Sequence, residues 1–173
     1  MNSTHYEICI IGGGIVGLST AYFLAKSGLK VAVLEKDSVG SHASGFAFGG
    51  LSPLGEAGDP SSILPVFDLA KLGMAKHHEF SSELPELSGV DYHHRFRPAI
   101  DLVFNDEERK EAEQTMKWRQ QVDNYKVEWV DTKTALEIVP NLNPEIIGAV
   151  YTEGVCDVEP YRLVLALTQS CEK

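Results

Sequence analysis

Apolar positions crowd together at two places near the start of the chain, "YEICII" at residues 6–11 and "KVAVLE" at 30–35. Both runs are short and rich in β-branched residues, and the first is stopped by glycine, which predicts two buried strands. Between them the apolar residues follow helical spacing. Val16, Leu18, Ala21, Leu24 and Ala25 form one stripe over residues 15–27, the pattern of a helix laid on a core. Gly28 is placed to end that helix as a C-terminal cap. A helix joining two buried strands is a βαβ unit, so the strands are expected to pair in parallel with a right-handed crossover.

The pattern then changes. Residues 37–62, "DSVGSHASGFAFGGLSPLGEAGDPSS", are rich in Gly, Ser and Ala and carry no period, and so long a loop in a compact domain is functional or disordered. Helical spacing returns from Ser61 to Leu87. Residues 90–106 read as two strands with Arg97-Pro98 near the turn, and Glu107–Asn124 as a charged amphipathic helix. A short strand "VEWVD" and a short helix "TKTALEIV" follow. Residues 148–160 read as extended segments around Glu153-Gly154, and Pro160 opens a last helix near its first turn. There is no internal repeat.

Composition narrows the function classes. A chain of 173 residues is long enough for a real core, burying roughly 70% of its unfolded surface. The net charge of −10 repels nucleic acid and anionic membranes. No run approaches the ~20 apolar residues that span a bilayer. The first apolar run is not a signal peptide, because Glu7 precedes it, glycines interrupt it and no basic segment leads it. Cys9, Cys156 and Cys171 are odd in number and form no CxxC, which argues against disulfides and zinc. Cys9 is expected to be a small core residue, and the expected setting is a reducing cytoplasm.

Candidate chemistry begins at Gly12-x-Gly14-x-x-Gly17, directly after the first strand and at the start of the helix. Gly12 permits the sharp turn, Gly14 lets backbone approach a pyrophosphate, and Gly17 lets the helix pack closely on the sheet. The helix start offers N–H groups and a positive dipole end to phosphate. Glu35 closes the second strand, where a carboxylate accepts from ribose hydroxyls. A carboxylate there repels a 2′-phosphate, so the expected ligand is an adenine dinucleotide without one. FAD and NAD both satisfy that description.

Four stretches resemble the FAD-dependent D-amino-acid-oxidase-like superfamily, and within it glycine oxidase and its sarcosine- and amino-acid-oxidising relatives. They are "IIGGGIVGLSTAYFLAKSG", "HASGFAFGGLSP", "LSGVDY…DLVFNDEE" and "GVCDVEPYRLVLAL". The resemblance implies an α/β fold, with a Rossmann-like FAD-binding βαβ unit and parallel sheet plus part of an α+β substrate domain with antiparallel strands. Its segments are residues 1–84 for FAD binding, 85–147 for the partial substrate domain, and 148–173 returning to the FAD domain. It implies FAD as cofactor and contacts at Ile15, Val16, Glu35, Lys36, Ala43, Ser44 and the Gly49-Gly50 pair, beside Gly12, Gly14 and Gly17.

Many relatives carry an Asn in the loop where this chain reads Phe46-Ala47-Phe48, so that polar contact is missing or comes from backbone. The small residues of 41–53 suit a flavin, and Phe46, Phe48 and Leu51 argue against a solvated linker. His42-Ala43-Ser44-Gly45 resembles the context in which some relatives attach FAD covalently through histidine; an ordinary polar loop residue is the stronger reading. The implied reaction oxidises a C–N bond of a small amine or amino acid by hydride transfer to the flavin. Family members are considerably longer, so the chain is expected to be an N-terminal portion.

Other residues add little. His77-His78 and His93-His94 are adjacent pairs whose rings face different ways, so no metal site is expected. Arg95 and Arg97 could meet a substrate carboxylate, though ion-pair arginines are the stronger reading. No Ser/His/Asp or Cys/His arrangement stands out and no catalytic residue is assigned, as suits chemistry carried by a cofactor. Two alternatives stay open: a non-catalytic FAD-binding module that needs a second copy or a complementing chain to cover its sheet edge, and an NAD-linked protein.

Overall fold

The computed structural model describes residues 5–55 and 66–173. The last part of the Gly/Ser-rich loop and residues 61–65 of the expected helix lie outside the described residues. The chain divides into two compact units. One comprises residues up to Gly49, Lys76–His94 and Val158–Lys173; the other comprises Gly50–Ala75 and Arg95–Asp157.

The first unit is built on the expected βαβ. Strand β1 (Ile8–Ile11) pairs in parallel with β2 (Val31–Leu34), Ile8 opposite Val31 and Ile11 opposite Leu34. Helix α1 (Ile15–Lys26) connects them, and Gly12 extends the ladder by donating its N–H to the Leu34 carbonyl at 2.8 Å. Gly28 follows the helix at φ +88°, a conformation glycine adopts without cost.

Burial here corrects two expectations. β1 alternates, with Ile8 and Ile10 half-buried and Cys9 and Ile11 exposed. A parallel strand is buried on both faces only when a layer covers each, and among the described residues α1 packs on β1 and β2 from one side. Cys9 is therefore an exposed free thiol, not a core residue. On α1 the buried positions are Leu18, Ala21 and Tyr22, whereas Val16 is 79% exposed. The stripe turns toward Tyr22 because α1 also packs against helix α5 (Pro160–Cys171).

Helix α2 (Phe67–Ser88) contributes Phe80 and Leu84 to this core, and the Phe80 ring meets Tyr22 edge-on at 5.5 Å between centroids. α5 begins as expected, with Pro160 in its first turn and Glu159 capping it by accepting from the Arg162 N–H at 2.8 Å. Leu163, Val164, Ala166 and Leu167 of α5 are buried.

His77 of α2 lies edge-on to Phe80. Burial, and then the neighbouring His94 and His78, hold its pKa below the ordinary histidine value. A base with a depressed folded-state pKa binds its proton more readily when unfolded. Stability is thus complete above about pH 6.5 and falls as pH drops toward the folded-state value. Urea melts of this chain and of His77→Phe across that window are expected to show the decline in the first and a smaller one in the second.

The second unit holds two antiparallel sheets. One is ordered β5 (Ala99–Val103), β7 (Gly148–Glu153), β6 (Lys126–Val130); the other β3 (Gly50–Leu51), β8 (Cys156–Asp157), β4 (Arg95–Phe96). The extended segments expected around Glu153-Gly154 are β7 and β8. Helix α3 (Asp106–Arg119) is capped reciprocally, since Asn105 accepts from the Glu108 N–H at 2.9 Å and the Glu108 carboxylate accepts from the Phe104 N–H at 2.7 Å. It ends before the expected Asn124, which takes a left-handed φ of +71° and cannot continue a helix. Helix α4 (Thr132–Ile138) is capped by Asp131.

One core cluster gathers Leu54, Met116, Val127 and Val150, and a second Val130, Ala135, Ile146 and Ala149. Arg119 is 4% exposed, donating to Asp101 Oδ2 at 3.2 Å and to the Gly55 carbonyl at 3.1 Å. Arg95 and Arg97 both meet the Asp157 carboxylate, at 2.7 and 3.3 Å, which is the ion-pair reading. Among the described residues no helix is long and apolar enough to cross a membrane.

Candidate cofactor site

The site grows from the end of β1. Gly12 turns the chain at φ +110°, and Gly14 caps α1 without a side chain. Neither residue covers the first turn of the helix, whose residues Ile15 to Leu18 include no acid to neutralise its positive end. Gly17 lies close behind. A Cβ on it would stand 2.1 Å from the Gly12 carbonyl oxygen, so the helix reaches the turn only because this residue has no side chain.

Glu35 meets that turn from β2. Its Oε2 accepts from the Gly13 N–H at 2.7 Å and its Oε1 from the Asp37 N–H at 3.0 Å. The Asp37 N–H first, and then that of Gly13, hold the carboxyl below its ordinary pKa. An ionised, doubly anchored carboxylate keeps its remaining lone pairs for outside donors.

The loop after β2 returns to the same turn. Gly40 donates its N–H to the Gly13 carbonyl at 3.1 Å, and Ser44 Oγ accepts from the Ile15 N–H at 3.0 Å. The Ser44 hydroxyl proton is then free to serve an anion at the helix start. His42 Nε2 lies 2.7 Å from Asp37 Oδ2. From the other side α5 presses on the loop. A Cβ on Gly40 would meet Val164 at 2.9 Å, and one on Gly45 would stand 2.1 Å from the Gly40 carbonyl oxygen and 3.2 Å from the Tyr161 ring. Gly49, at φ +87°, accepts from the Val158 N–H at 3.0 Å and closes the segment.

The structure brings Gly12, Gly14, Ile15, Glu35 and Ser44 around one turn, with Gly17 packed behind it. Lys36, His42 and Ala43 are on exposed positions of the adjoining loop, and Val16 is exposed on the first turn of α1. Gly49 is at the far end of the loop, and Gly50 opens β3, where it pairs with Asp157. Phe46 and Phe48 are 84% and 98% exposed, so the loop is not held by burying its aromatic residues. Backbone hydrogen bonds and glycine contacts hold it instead. Sequence reasoning missed Gly13, Asp37 and Gly40. One signal could have found Gly40: it stands before Gly45 at the spacing of Gly12 before Gly17, and each pair makes the same 2.1 Å approach.

These groups fit an extended dinucleotide cofactor. Glycine backbone leaves the helix start open to a pyrophosphate, a hydroxyl stands beside it, and an anchored carboxylate ends the neighbouring strand. The sequence profile of the FAD-dependent oxidoreductase (DAO) family matches residues 7–173. The chain belongs to that family.

Members resemble it closely in sequence and structure. Glycine oxidase of Bacillus licheniformis is 32% identical over 155 residues, which are 90% of this chain and 40% of that protein. The crystal structure of glycine oxidase from Geobacillus kaustophilus superimposes with a TM-score of 0.87 at 29% identity, over 98% of this chain and 45% of that one. A dithionite-reduced glycerophosphate oxidase of Mycoplasma pneumoniae with FAD bound shares the fold, at a TM-score of 0.75 and 23% identity. The chain therefore spans less than half the length of these relatives. FAD is the cofactor of the family, and the α/β architecture expected from the sequence is the family's own.

Proposed function

We propose that this chain supplies the FAD-holding part of an enzyme that oxidises the C–N bond of a small amine or amino acid such as glycine, sarcosine or a D-amino acid. The observation that carries this reading is the glycine turn with Glu35 and Ser44 converging on it, in a chain of the family to which the glycine oxidases belong. In this reading the Gly12–Gly14 backbone and the N–H groups at the start of α1 hold the pyrophosphate. Ser44 donates its hydroxyl to a phosphate oxygen, and Glu35 accepts from the ribose hydroxyls. Ile15, Val16, Lys36, His42, Ala43 and Gly49 line the path of the cofactor.

Bound FAD would supply the acceptor for the hydride lost from the amine's Cα, and the imine so formed would be hydrolysed by water. The chain's own part is to hold the cofactor in one orientation and to keep Glu35 ionised. Free thiols at Cys9, Cys156 and Cys171 agree with a reducing, cytoplasmic setting.

The test is the colour of the purified protein. A flavin band that glycine, sarcosine or D-alanine bleaches in the absence of air is the expected result. A flavin band that no amine bleaches would leave a cofactor-holding module without this catalysis. Failure to take up FAD, with tight binding of NADH, would overturn the reading.

Glu35→Gln separates the ribose contact from the rest. The amide turns one of two accepting oxygens into a donor, facing N–H groups that are themselves donors. With charge-assisted hydrogen bonds worth about 1.5–3 kcal/mol, FAD is expected to bind at least tenfold more weakly, as read by quenching of flavin fluorescence.

A further inference from the structure

His42 pairs with Asp37 at 2.7 Å, a contact to which the cofactor reading gives no role. The pair is the outer link of a chain of hydrogen bonds. The His42 ring meets the Asp37 carboxylate, the Asp37 N–H donates to Glu35 Oε1, and Glu35 Oε2 accepts from Gly13. The loop bearing His42 also carries Ser44, bonded to Ile15, and Gly40, bonded to Gly13. The links close into a ring around the start of α1, and the His42–Asp37 contact is the one made by two side chains exposed to water.

We propose that His42 is a positioning residue for the cofactor, acting through Asp37 to hold Glu35 in the orientation that the ribose hydroxyls meet. The inference rests on the reading of Glu35 as the ribose acceptor. A carboxylate anchored at one oxygen swings about that contact; anchored at both, it presents fixed lone pairs. The second anchor is the Asp37 N–H, whose direction depends on the bend at residues 36–37, and the His42 contact ties that bend to the turn beyond it. The charge of His42 also bears on Glu35, as one of the influences that lower the Glu35 pKa.

The remaining charged and titratable neighbours are few. Lys36 Nζ lies 3.8 Å from Asp37 Oδ2. α5 brings Tyr161 against Gly40 and Gly45, and the glycine turn carries no ionisable group.

The experiment titrates FAD into the apoprotein of this chain and of three variants. His42→Gln and Asp37→Asn break the link and should each bind FAD roughly threefold more weakly than the unaltered chain. His42→Lys keeps a positive charge opposite Asp37 and should bind as the unaltered chain does. A second readout needs no cofactor: the carbon-13 titration of the Glu35 carboxyl should move to higher pH in His42→Gln. Unchanged FAD affinity in His42→Gln and Asp37→Asn, or a His42→Lys protein that binds as weakly as His42→Gln, overturns the inference while leaving FAD binding itself intact. No FAD uptake by the unaltered chain overturns the ribose reading, and this inference with it.

Discussion

An alanine at position 17 is expected to dismantle the cofactor turn. Its Cβ would stand 2.1 Å from the Gly12 carbonyl oxygen and 3.2 Å from the carbon that bears it. Both partners are backbone, so no rotamer change relieves the clash, and either α1 or the end of β1 must move. Overpacking that a side chain can absorb costs about 1–3 kcal/mol. Here the cost should reach at least about 3 kcal/mol, read as a lowered urea midpoint, with FAD uptake lost. Gly12→Ala makes an informative contrast. Nothing lies within 4 Å of its added Cβ, yet its φ of +110° charges alanine about 1–3 kcal/mol of backbone strain. A Gly17→Ala protein that melts like the parent and still takes up FAD would show that the approach of α1 to the turn is not close.

The second large effect falls in the unit built on antiparallel sheets. Arg119→Ala is expected to destabilise the protein by about 3 kcal/mol, the lower end of what losing one partner of a buried pair costs. The guanidinium is 4% exposed and joins three parts of the chain: α3 that carries it, Asp101 of β5 and the carbonyl of Gly55. The Asp101 side chain is 41% exposed, so water recovers part of its charge when the arginine goes, and Asp101→Asn should cost less. Arg119→Met keeps much of the volume and should fall between the two. Urea melts of the three variants rank them, and an Arg119→Ala midpoint equal to the parent's would show that the pair contributes nothing.

What could be read in advance divides along a physical line. The meeting of Gly12, Gly14, Gly17 and Glu35 at one turn was legible because it is set by backbone freedom and by position at the ends of a strand and a helix, which are local properties. Most strands and helices were legible for the same reason, through their periodicity. Burial was not. Cys9 and Val16 have apolar or core-like neighbours in sequence, but whether they are covered depends on which layers stand over β1 and the start of α1. Phe46 and Phe48 misled in the same way, since an aromatic residue in a loop says nothing about whether a surface faces it. α3 ends at Arg119, in turns that precede the left-handed Asn124. Gly13 and Asp37 became visible only once the loop was folded back onto the turn. Tyr161 and Val164 press on that loop from a helix far along the chain, a relation that no local pattern carries.

The paired approaches of Gly17 to Gly12 and of Gly45 to Gly40 have a consequence beyond the exclusion of side chains. Where any other residue would carry its Cβ, glycine carries a hydrogen, and in both places that hydrogen is aimed at a carbonyl oxygen. Such a C–H group is a weak donor, contributing about 0.5–1 kcal/mol when it meets an oxygen. The second glycine of each pair is therefore a bonding partner as well as an absence. Two carbonyls that the bends turn away from the regular ladder each gain a donor from a residue usually described by what it lacks.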